Sequence, residues 1–500
     1  MEFDLPTLTK RHLSDLLSRC SISSIDHDVS VELDGAVADC RFAFGEAAAV
    51  ALAAFSTGVA EIWRDRGGRP QVISVSSRHA GASLLSIRAQ KLNGRPLSSF
   101  FDQNGHVITT TPFTGGFPPP FYSFYRTRDD RWFWIHGVIP HLVRGTLKVL
   151  GLKETAGYPE VAKAVAKFNA IDLEDAMAES RMCGAIARSA QEWAHHPQGQ
   201  ACARDGCISI EKIADSEPEP LTAVSTQPLA GLTVLDLTRI LAGPTATKLL
   251  AGHGADVLHI SSPNLYSGLP NVLDTGHGKR SASLDLDRAE DAATLRKLIA
   301  DADVFCQSYR NGAMERRGLS PEEVAKIRPG IVYLSVNCYG HEGPWSERPG
   351  FDPLACAATG ISMAQGMTQG MAQGEGGAPE MVPVFASDYV TGSLGALGVI
   401  SALRHRAREG GSYHVKVSLA QSAMWMYDFA PLRPRLDTPI PASDEQYLEE
   451  RDTAFGRLRY VQPVPRMSMT SPQWIDPVVP LGTHTPVWQN DQIKFSRTRT

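Results

Sequence analysis

From residue 229 onward this 500-residue chain alternates short runs typical of buried strands with longer helix-like segments. Strands that alternate with crossover helices form mostly parallel sheets, because each helix returns the chain to the same end of the sheet. The pattern therefore predicts an α/β fold with a doubly wound, mostly parallel, Rossmann-like sheet. The strand-like runs are VLDLT (234–238), DVLHI (256–260), SASLDL (281–286), DVFCQS (303–308) and IVYLSVN (331–337).

The first turn from strand to helix in this region reads RILAGP and contains one glycine. The dinucleotide fingerprint G-x-G-x-x-G needs three glycines, so the sequence argues against NAD and FAD. A single glycine before a helix can still place backbone N–H groups beside a phosphate. We predict Pro244 at the first helical position here, a cap formed by Ser320 with Glu323, and another formed by Asp287 with Glu290.

Two stretches, residues 44–77 and 387–419, share one pattern: an alanine-rich helix, a basic turn, a Gly-Gly pair and a strand. Such self-similarity indicates an internal repeat. Aligning the two Gly-Gly pairs without gaps places Gly45 opposite Asp388. The amino-terminal copy therefore lacks this carboxylate, and we expect one site per chain.

Asp388 is the residue of this pattern that most needs an explanation. It is followed at once by an aromatic residue, a Thr-Gly pair and an Ala/Gly/Leu helix. A carboxylate is a poor core residue there, because an unpaired buried charge is unfavourable. It is either a helix N-cap, with Thr391 in the first turn, or a group that does chemistry. The small residues Gly392, Gly395 and Ala396 would let a substrate group approach it closely.

Five segments, in order, resemble the class III CoA-transferases (the CaiB/BaiF family), which include formyl-CoA transferase, carnitine CoA-transferase and the α-methylacyl-CoA racemases. The segments read PLAGLTVLDLTRILAGPTATKLLAGHGADVLHI, GHGKRSASLDLD, ADVFCQSYRNGAMERRGL, RPGIVYLSVNCYGHEGPWSERPGFD and PVFASDYVTGSLGALGVISALRHRAREGGSYHVKVSL. The resemblance implies that Asp388 is the covalent nucleophile of an acyl-CoA transferase, which moves CoA between carboxylic acids through anhydride and thioester intermediates. It implies an acyl-CoA and a carboxylic acid as substrates, and no permanently bound cofactor.

The resemblance also implies which residues contact coenzyme A. The implied contacts are Leu241, Ala242, Pro244, Tyr309 and Arg316. Alternatively, Arg316 lies on a solvated helix face and does not contact the coenzyme.

Two other functions stay open at this stage. The racemases of the family use a second acid/base group, a histidine, where this chain has Phe351, and a phenyl ring cannot carry a proton. His136 is either a structural histidine or a group that faces the site. Ser261 and Ser308 stand where the family often has Glu and Asn, which leaves room for a non-catalytic homologue acting as a binding partner.

The chain order predicts the class III CoA-transferase fold in a rearranged order, with a second, smaller α/β domain. In most family members the small domain follows the nucleophile half, whereas here it precedes it. Family members form interlocked dimers, so the resemblance implies a homodimer. We predict an amino-terminal partial repeat of the large domain over 1–120, the small domain over 121–214, a linker over 215–228, the large domain with the nucleophile over 229–430, and a wrapping segment over 431–500.

Composition excludes several other classes. A net charge of −5, from 49 basic and 54 acidic residues, gives no basic footprint for nucleic acid. Eight cysteines without a CxxC pair predict reduced, mostly buried thiols, and adjacent His195 and His196 make a poor metal site. No apolar run reaches the ~20 residues of a membrane-spanning helix. We therefore expect a soluble, cytoplasmic protein without a metal or a membrane partner.

Overall fold

The computed structural model describes residues 4–35, 38–97, 120–223, 227–367, 377–434 and 445–489. All structural statements below refer to these residues. Residues 368–376, the middle of a stretch rich in Met, Gly and Gln (362–379), lie outside them.

The amino-terminal part of the chain is built around one long helix, α2. Its elements are α1 (Leu5–Arg19), β1 (Asp28–Glu32), α2 (Phe44–Asp65), β2 (Val72–Ser76), α3 (Ser77–Ser83), α4 (Ser86–Ala89), β3 (Lys91–Leu92) and β4 (Arg95–Pro96). By length and composition α2 could cross a membrane, so the expectation that no apolar run is long enough was wrong. However, 94% of its apolar window is buried within the protein, which is typical of a core helix in a soluble protein.

The middle of the chain forms a small antiparallel sheet, β5–β6–β7, with helices packed on it. Its core contains Tyr125, Phe133, Ile135, Leu173 and Met177. This is the second, smaller α/β unit that was predicted. The elements are β5 (Tyr122–Arg126), β6 (Trp132–His136), α5 (Pro140–Leu150), α6 (Tyr158–Val165), α7 (Ala170–Glu179), β7 (Gly184–Ile186), α8 (Ala190–His195), α9 (Pro197–Asp205) and, after them, β8 (Ser209–Ala214).

The large sheet has seven strands in the order β11-β10-β9-β12-β13-β14-β8, and all neighbours are parallel except β14 and β8. This confirms the predicted doubly wound, mostly parallel, Rossmann-like sheet. The elements are β9 (Thr233–Leu237), α10 (Ala242–Gly252), β10 (Asp256–Ser261), α11 (Leu269–Thr275), β11 (Lys279–Ser283), α12 (Ala289–Ala300), β12 (Val304–Gln307), α13 (Pro321–Ile327), β13 (Val332–Asn337), α14 (Asp352–Thr359), α15 (Ile361–Gln365), α16 (Ala386–Glu409), β14 (Ser412–Ser418) and α17 (Leu419–Tyr427).

The two repeats exchange strands within the chain. The strand β8, which precedes the large sheet in sequence, pairs antiparallel with β14 at its edge. The last strands are β15 (Leu448–Thr453), β16 (Gly456–Val461) and β17 (Arg466–Met467). In return, β17 pairs antiparallel with β2, whose other neighbour is the parallel strand β1. Each half of the chain therefore adds a strand to the sheet of the other half.

The repeat helices α2 and α16 pack against each other in the centre. A Cβ atom on Gly58 would lie 2.8 Å from Cγ2 of Ile400, so the two helices approach closely there. Beyond each helix the chain turns at a glycine with positive φ, Gly67 at +89° and Gly410 at +66°, a conformation that residues with a Cβ rarely adopt. One buried core runs across the predicted domain borders, which stay predictions; it includes Phe55, Trp134, Leu334, Leu397 and Met467.

The predicted helix starts were correct in one case of three. Ser320 and Glu323 form the predicted reciprocal cap of α13. The cap of Asp287 with Glu290 was wrong, because α12 begins after Arg288 and has no side-chain cap. Pro244 is the third residue of α10 rather than the first, because the helix begins earlier, at Ala242.

Candidate active site

A cleft of about 620 Å³ opens at the carboxyl ends of β9 and β12. These two strands are neighbours, but the chain leaves them in opposite directions across the sheet. Such a switch point is where open α/β sheets bind ligands, because the loops that follow the two strands separate and leave a crevice. The cleft is lined by the loop before and at the start of α10, by residues 308–317, and by groups of the small domain and of α16.

Asp388 lies in the wall of this cleft and is 9% exposed. It is the third residue of α16, which begins after Phe385, so the N-cap interpretation of Asp388 was wrong. The start of α10 meets α16 here, because a Cβ on Gly392 would lie 2.6 Å from the carbonyl oxygen of Ala242. This close approach lets the Ala242 backbone N–H donate to the Asp388 carboxyl.

A second carboxyl lies beside the first. The backbone N–H of Asp388 donates to Oδ2 of Asp352 across 3.1 Å, and Asp352 is 2% exposed at the start of α14. The thiol of Cys356 donates to Oδ1 of the same carboxyl across 3.4 Å. Burial raises the pKa of Asp352 to about 6, although the hydrogen bonds from Asp388, Cys356 and Ser387 oppose the rise.

The pKa of Asp388 is raised well above the ordinary value of an aspartate. Burial is the main cause, and the negative charge of Asp352 adds to it. The hydrogen bond from the Ala242 N–H acts in the opposite direction. The two carboxyls therefore disfavour ionising together, as like charges at close range do.

Most residues that the resemblance assigned to coenzyme A line the same cleft as Asp388. They are Leu241, Ala242, Tyr309 and Arg316. Pro244 does not reach the cleft: it lines a separate small pocket. Its carbonyl oxygen accepts a hydrogen bond from Nζ of Lys279 across 2.8 Å. Pro244 therefore lies apart from the other four residues, and its contact with coenzyme A stays a prediction.

The small residues after Asp388 have a different role from the expected one. Gly392 faces α10, and Gly395 faces the side chains of Leu334 and Val417 in the sheet. Ala396 is fully buried. These residues allow α16 to pack closely on its neighbours, so the expectation that they make room for a substrate was wrong.

Cationic side chains also line this cleft. Arg317 donates to the carboxylate of Asp287 across 2.7 Å. Within the described residues, the guanidinium groups of Arg310 and Arg316 lie at the cleft with neither a hydrogen bond nor an ion pair. Burial lowers the pKa of Arg310, which is half-buried. A partly desolvated cation without a partner favours an anionic ligand.

Phe351 lines the cleft near Asp388, and His136 lies behind it. The two rings are stacked with centroids 4.5 Å apart and planes 15° apart. Burial lowers the pKa of His136 to about 3, so the ring is neutral near pH 7. The histidine is close to the site, as one of the two sequence interpretations allowed, but the phenyl ring lies between it and the cleft.

Ser308 and Ser261, which stand where the family often has other residues, lie in different parts of the structure. Ser308 lies in the cleft, where its Oγ accepts the backbone N–H of Arg239 across 2.8 Å and joins the loops after β12 and β9. Ser261 is buried at the end of β10 and donates to the carbonyl oxygen of Ala282. In the described part of the chain no group of three His, Cys, Asp or Glu side chains could hold a metal. All eight cysteines are free and buried, as predicted.

Sequence reasoning missed two residues of this site, Asp352 and Arg310. Both had a detectable signal. Asp352 follows Phe351 directly, in a segment already singled out, and Arg310 follows the aromatic residue after β12. A charged residue just beyond the carboxyl end of a central parallel strand is a candidate site residue, because those ends converge on the crevice.

Comparisons with known proteins identify the family of the chain. The chain matches CoA-transferase family III over residues 28–218 and 229–456. It is 32% identical over 401 residues to the acetyl-coenzyme A transferase nodX of Hypoxylon pulicicidum, an alignment that covers 73% of this chain and 65% of that protein. It is 31% identical over 418 residues to an acyl-CoA transferase of Gibberella moniliformis, with 72% of this chain and 73% of that protein covered.

A crystal structure of a CaiB/BaiF family protein from Brucella suis is 30% identical to the matching part of the chain. The superposition covers 40% of this chain and 55% of that chain, with a TM-score of 0.36.

Proposed function

Because the chain belongs to CoA-transferase family III, we propose that it is an acyl-CoA transferase that moves CoA between carboxylic acids, with Asp388 as the covalent nucleophile. One observation carries the proposal: the Asp388 carboxyl lies in the wall of the cleft at the switch point of the sheet. The unpaired guanidinium groups in the same cleft suit the phosphates of an acyl-CoA. Leu241, Ala242, Tyr309 and Arg316 would contact the coenzyme.

The chemistry needs one carboxylate and no permanently bound cofactor. The Asp388 carboxylate attacks the thioester carbonyl carbon; the C–S bond breaks, and a mixed anhydride and CoA thiolate form. The thiolate attacks the Asp388 carbonyl carbon, which releases the first acid and leaves an aspartyl-CoA thioester. The second acid attacks this thioester and again forms an anhydride and a thiolate. Attack of the thiolate on the new acyl carbon then gives the product acyl-CoA and free Asp388.

The surroundings of Asp388 support this role. The Ala242 N–H donates to the carboxyl that would become the acyl centre, and a fixed backbone donor can stabilise charge that develops there. The cleft wall beside Asp388 is largely apolar, with Leu142, Leu241 and Phe351, and this limits the water that could hydrolyse an anhydride.

The test is to trap the intermediate. The protein is incubated with an acyl-CoA and treated with hydroxylamine or borohydride, and peptide mass spectrometry locates the modification. We expect it at Asp388, with ping-pong exchange of CoA between acids. Asp388→Asn should lose transfer by orders of magnitude, while Asp301→Asn, at an exposed carboxylate at the carboxyl end of α12, should match the wild type. An Asp388→Asn variant that transfers CoA at a near wild-type rate would refute the proposal.

Association and location stay predictions. A homodimer is tested by light scattering, and the mass of one chain, 54.2 kDa, at micromolar concentration would contradict it. The cytoplasmic location is tested by cell fractionation.

A further inference from the structure

We propose that Asp352 is a positioning residue that holds the turn bearing Asp388 and sets the charge that Asp388 carries before substrate attack. The inference rests on the proposed role of Asp388. Asp352 lies outside the cleft lining, so it acts through Asp388 and not by contact with substrate.

The hydrogen bonds of the Asp352 carboxyl show how it would position Asp388. Oδ2 of Asp352 accepts the backbone N–H of Asp388 across 3.1 Å, and Ser387 also donates to this carboxyl through its backbone and its hydroxyl. These donors belong to the first turn of α16, whose N–H groups have no partner within the helix. A carboxylate from α14 therefore caps the helix at the turn that presents the nucleophile.

The effect of Asp352 on the charge of Asp388 follows from the hydrogen bonds to the two carboxyls, because Asp352 accepts more of them than Asp388 does. Asp352 accepts from Asp388, Ser387 and Cys356, whereas the Asp388 carboxyl accepts only the Ala242 N–H within the described residues. Hydrogen bonds to an ionised carboxyl stabilise it, so the first negative charge of the pair resides on Asp352. A second charge beside it is disfavoured, and Asp388 keeps its proton to higher pH.

Other groups around the pair do not carry a compensating charge near pH 7. Four side chains from β5, α14, α16 and the turn after β13 interact electrostatically with one or both carboxyls, and burial raises the pKa of each, so all four are neutral. They are Tyr122, Cys356, Tyr389 and Cys338. The cation Arg88 acts on Tyr122 and lowers its pKa, against the effect of burial.

This arrangement has a chemical consequence. Asp388 must lose its proton to water in the cleft before it attacks, so its pKa sets the acid limb of the pH–rate profile. A carboxylate of raised pKa is also more basic and attacks a carbonyl more readily. When Asp388 enters the anhydride it becomes neutral, and its repulsion with Asp352 disappears.

The experiment compares the pH dependence of kcat/KM in the wild type, Asp352→Asn and Asp352→Ala. Asparagine keeps an oxygen that accepts the Asp388 N–H but removes the charge. We expect its acid limb to move to lower pH by about one unit or more, the usual scale for loss of a close like charge, with a lower plateau. Asp352→Ala, which also loses the acceptor, should show the same shift and a further loss of kcat.

A purely structural role for Asp352 would lower the plateau without moving the limb, and that result would overturn the inference. If the wild type forms no adduct at Asp388, the proposed function itself fails, which is a separate outcome.

A second measurement does not depend on folding of the Asp352 variants. Infrared spectra of wild-type protein labelled with ¹³C-aspartate should contain a protonated carboxyl band at pH 7 that disappears in Asp388→Asn. Absence of this band in the wild type would also overturn the inference.

Discussion

Nη2 of Arg404 lies 2.7 Å from Oε2 of Glu61, and this ion pair joins α16 to α2 in the interior of the protein. Both side chains are at most 6% exposed. Nε of Arg404 also lies 2.8 Å from Oδ2 of Asp65. The helix that carries Asp388 is thus fixed by charge to the corresponding helix of the other repeat.

Arg404→Met should destabilise the protein by about 2 kcal/mol, because it removes the buried cation that Glu61 and Asp65 share, although Arg64 still pairs with Glu61 and Arg408 with Asp65. Arg408→Met is the matched control: Arg408 pairs with the same Asp65 but is 53% exposed, and its loss should cost at most about 1 kcal/mol. Urea unfolding of both variants measures the difference. Equal destabilisation by the two substitutions would show that the buried ion pair contributes no more to stability than the exposed one.

Arg316→Met should raise KM for acyl-CoA roughly three- to tenfold with little change in kcat, because the lost contact is made equally in the ground and transition states. Arg317→Met should have a smaller effect, since that side chain is engaged with Asp287. The difference should shrink at high salt, because exposed charges are screened. Steady-state kinetics at two salt concentrations provide the test, and equal KM values for Arg316→Met and wild type would remove Arg316 from the coenzyme site.

The protein should not epimerise 2-methylacyl-CoA esters. Phe351 lies where a second proton-transfer group is needed, and it separates the neutral His136 from the cleft. Incubation in deuterium oxide should give no rapid deuteration at the α-carbon. Rapid deuteration with inversion would point to a racemase and to His136 as the first residue to substitute.

Residues 1–223 and 227–500, expressed separately, should each be poorly soluble, whereas the two coexpressed pieces should copurify. The reason is the strand exchange: β8 pairs with β14, and β17 pairs with β2. Affinity purification through a tag on one piece, followed by thermal melting, measures this. If residues 227–500 alone were monodisperse, cooperative in melting and active, the amino-terminal half would be dispensable.

The central strands of the large sheet could be predicted from the sequence, because buried parallel strands are continuous apolar runs. The edge strands β8 and β17 could not. Residues 209–214 read SIEKIA and are partly exposed along their length, and β17 has two residues. Such segments carry no apolar pattern, and their pairing partners lie in the distant half of the chain.

The site was predictable in its position but not in its electrostatics. Asp388 and four of its neighbours in the cleft follow from motif order. The contact between Asp388 and Asp352 does not, because the two residues belong to separate helices and meet only through tertiary packing. Motif order also does not reveal that Pro244, at the third position of α10, lines a neighbouring pocket rather than the cleft.

The strand exchange between the two halves also covers an edge of each sheet. A strand at the edge of a sheet presents unpaired N–H and C=O groups that can recruit a strand from another molecule. In this protein β8 shields one side of β14, and β17 shields one side of β2. Each half thereby prevents an edge strand of the other half from pairing with strands of other molecules. We expect loss of β8 or of β17 to cause aggregation first.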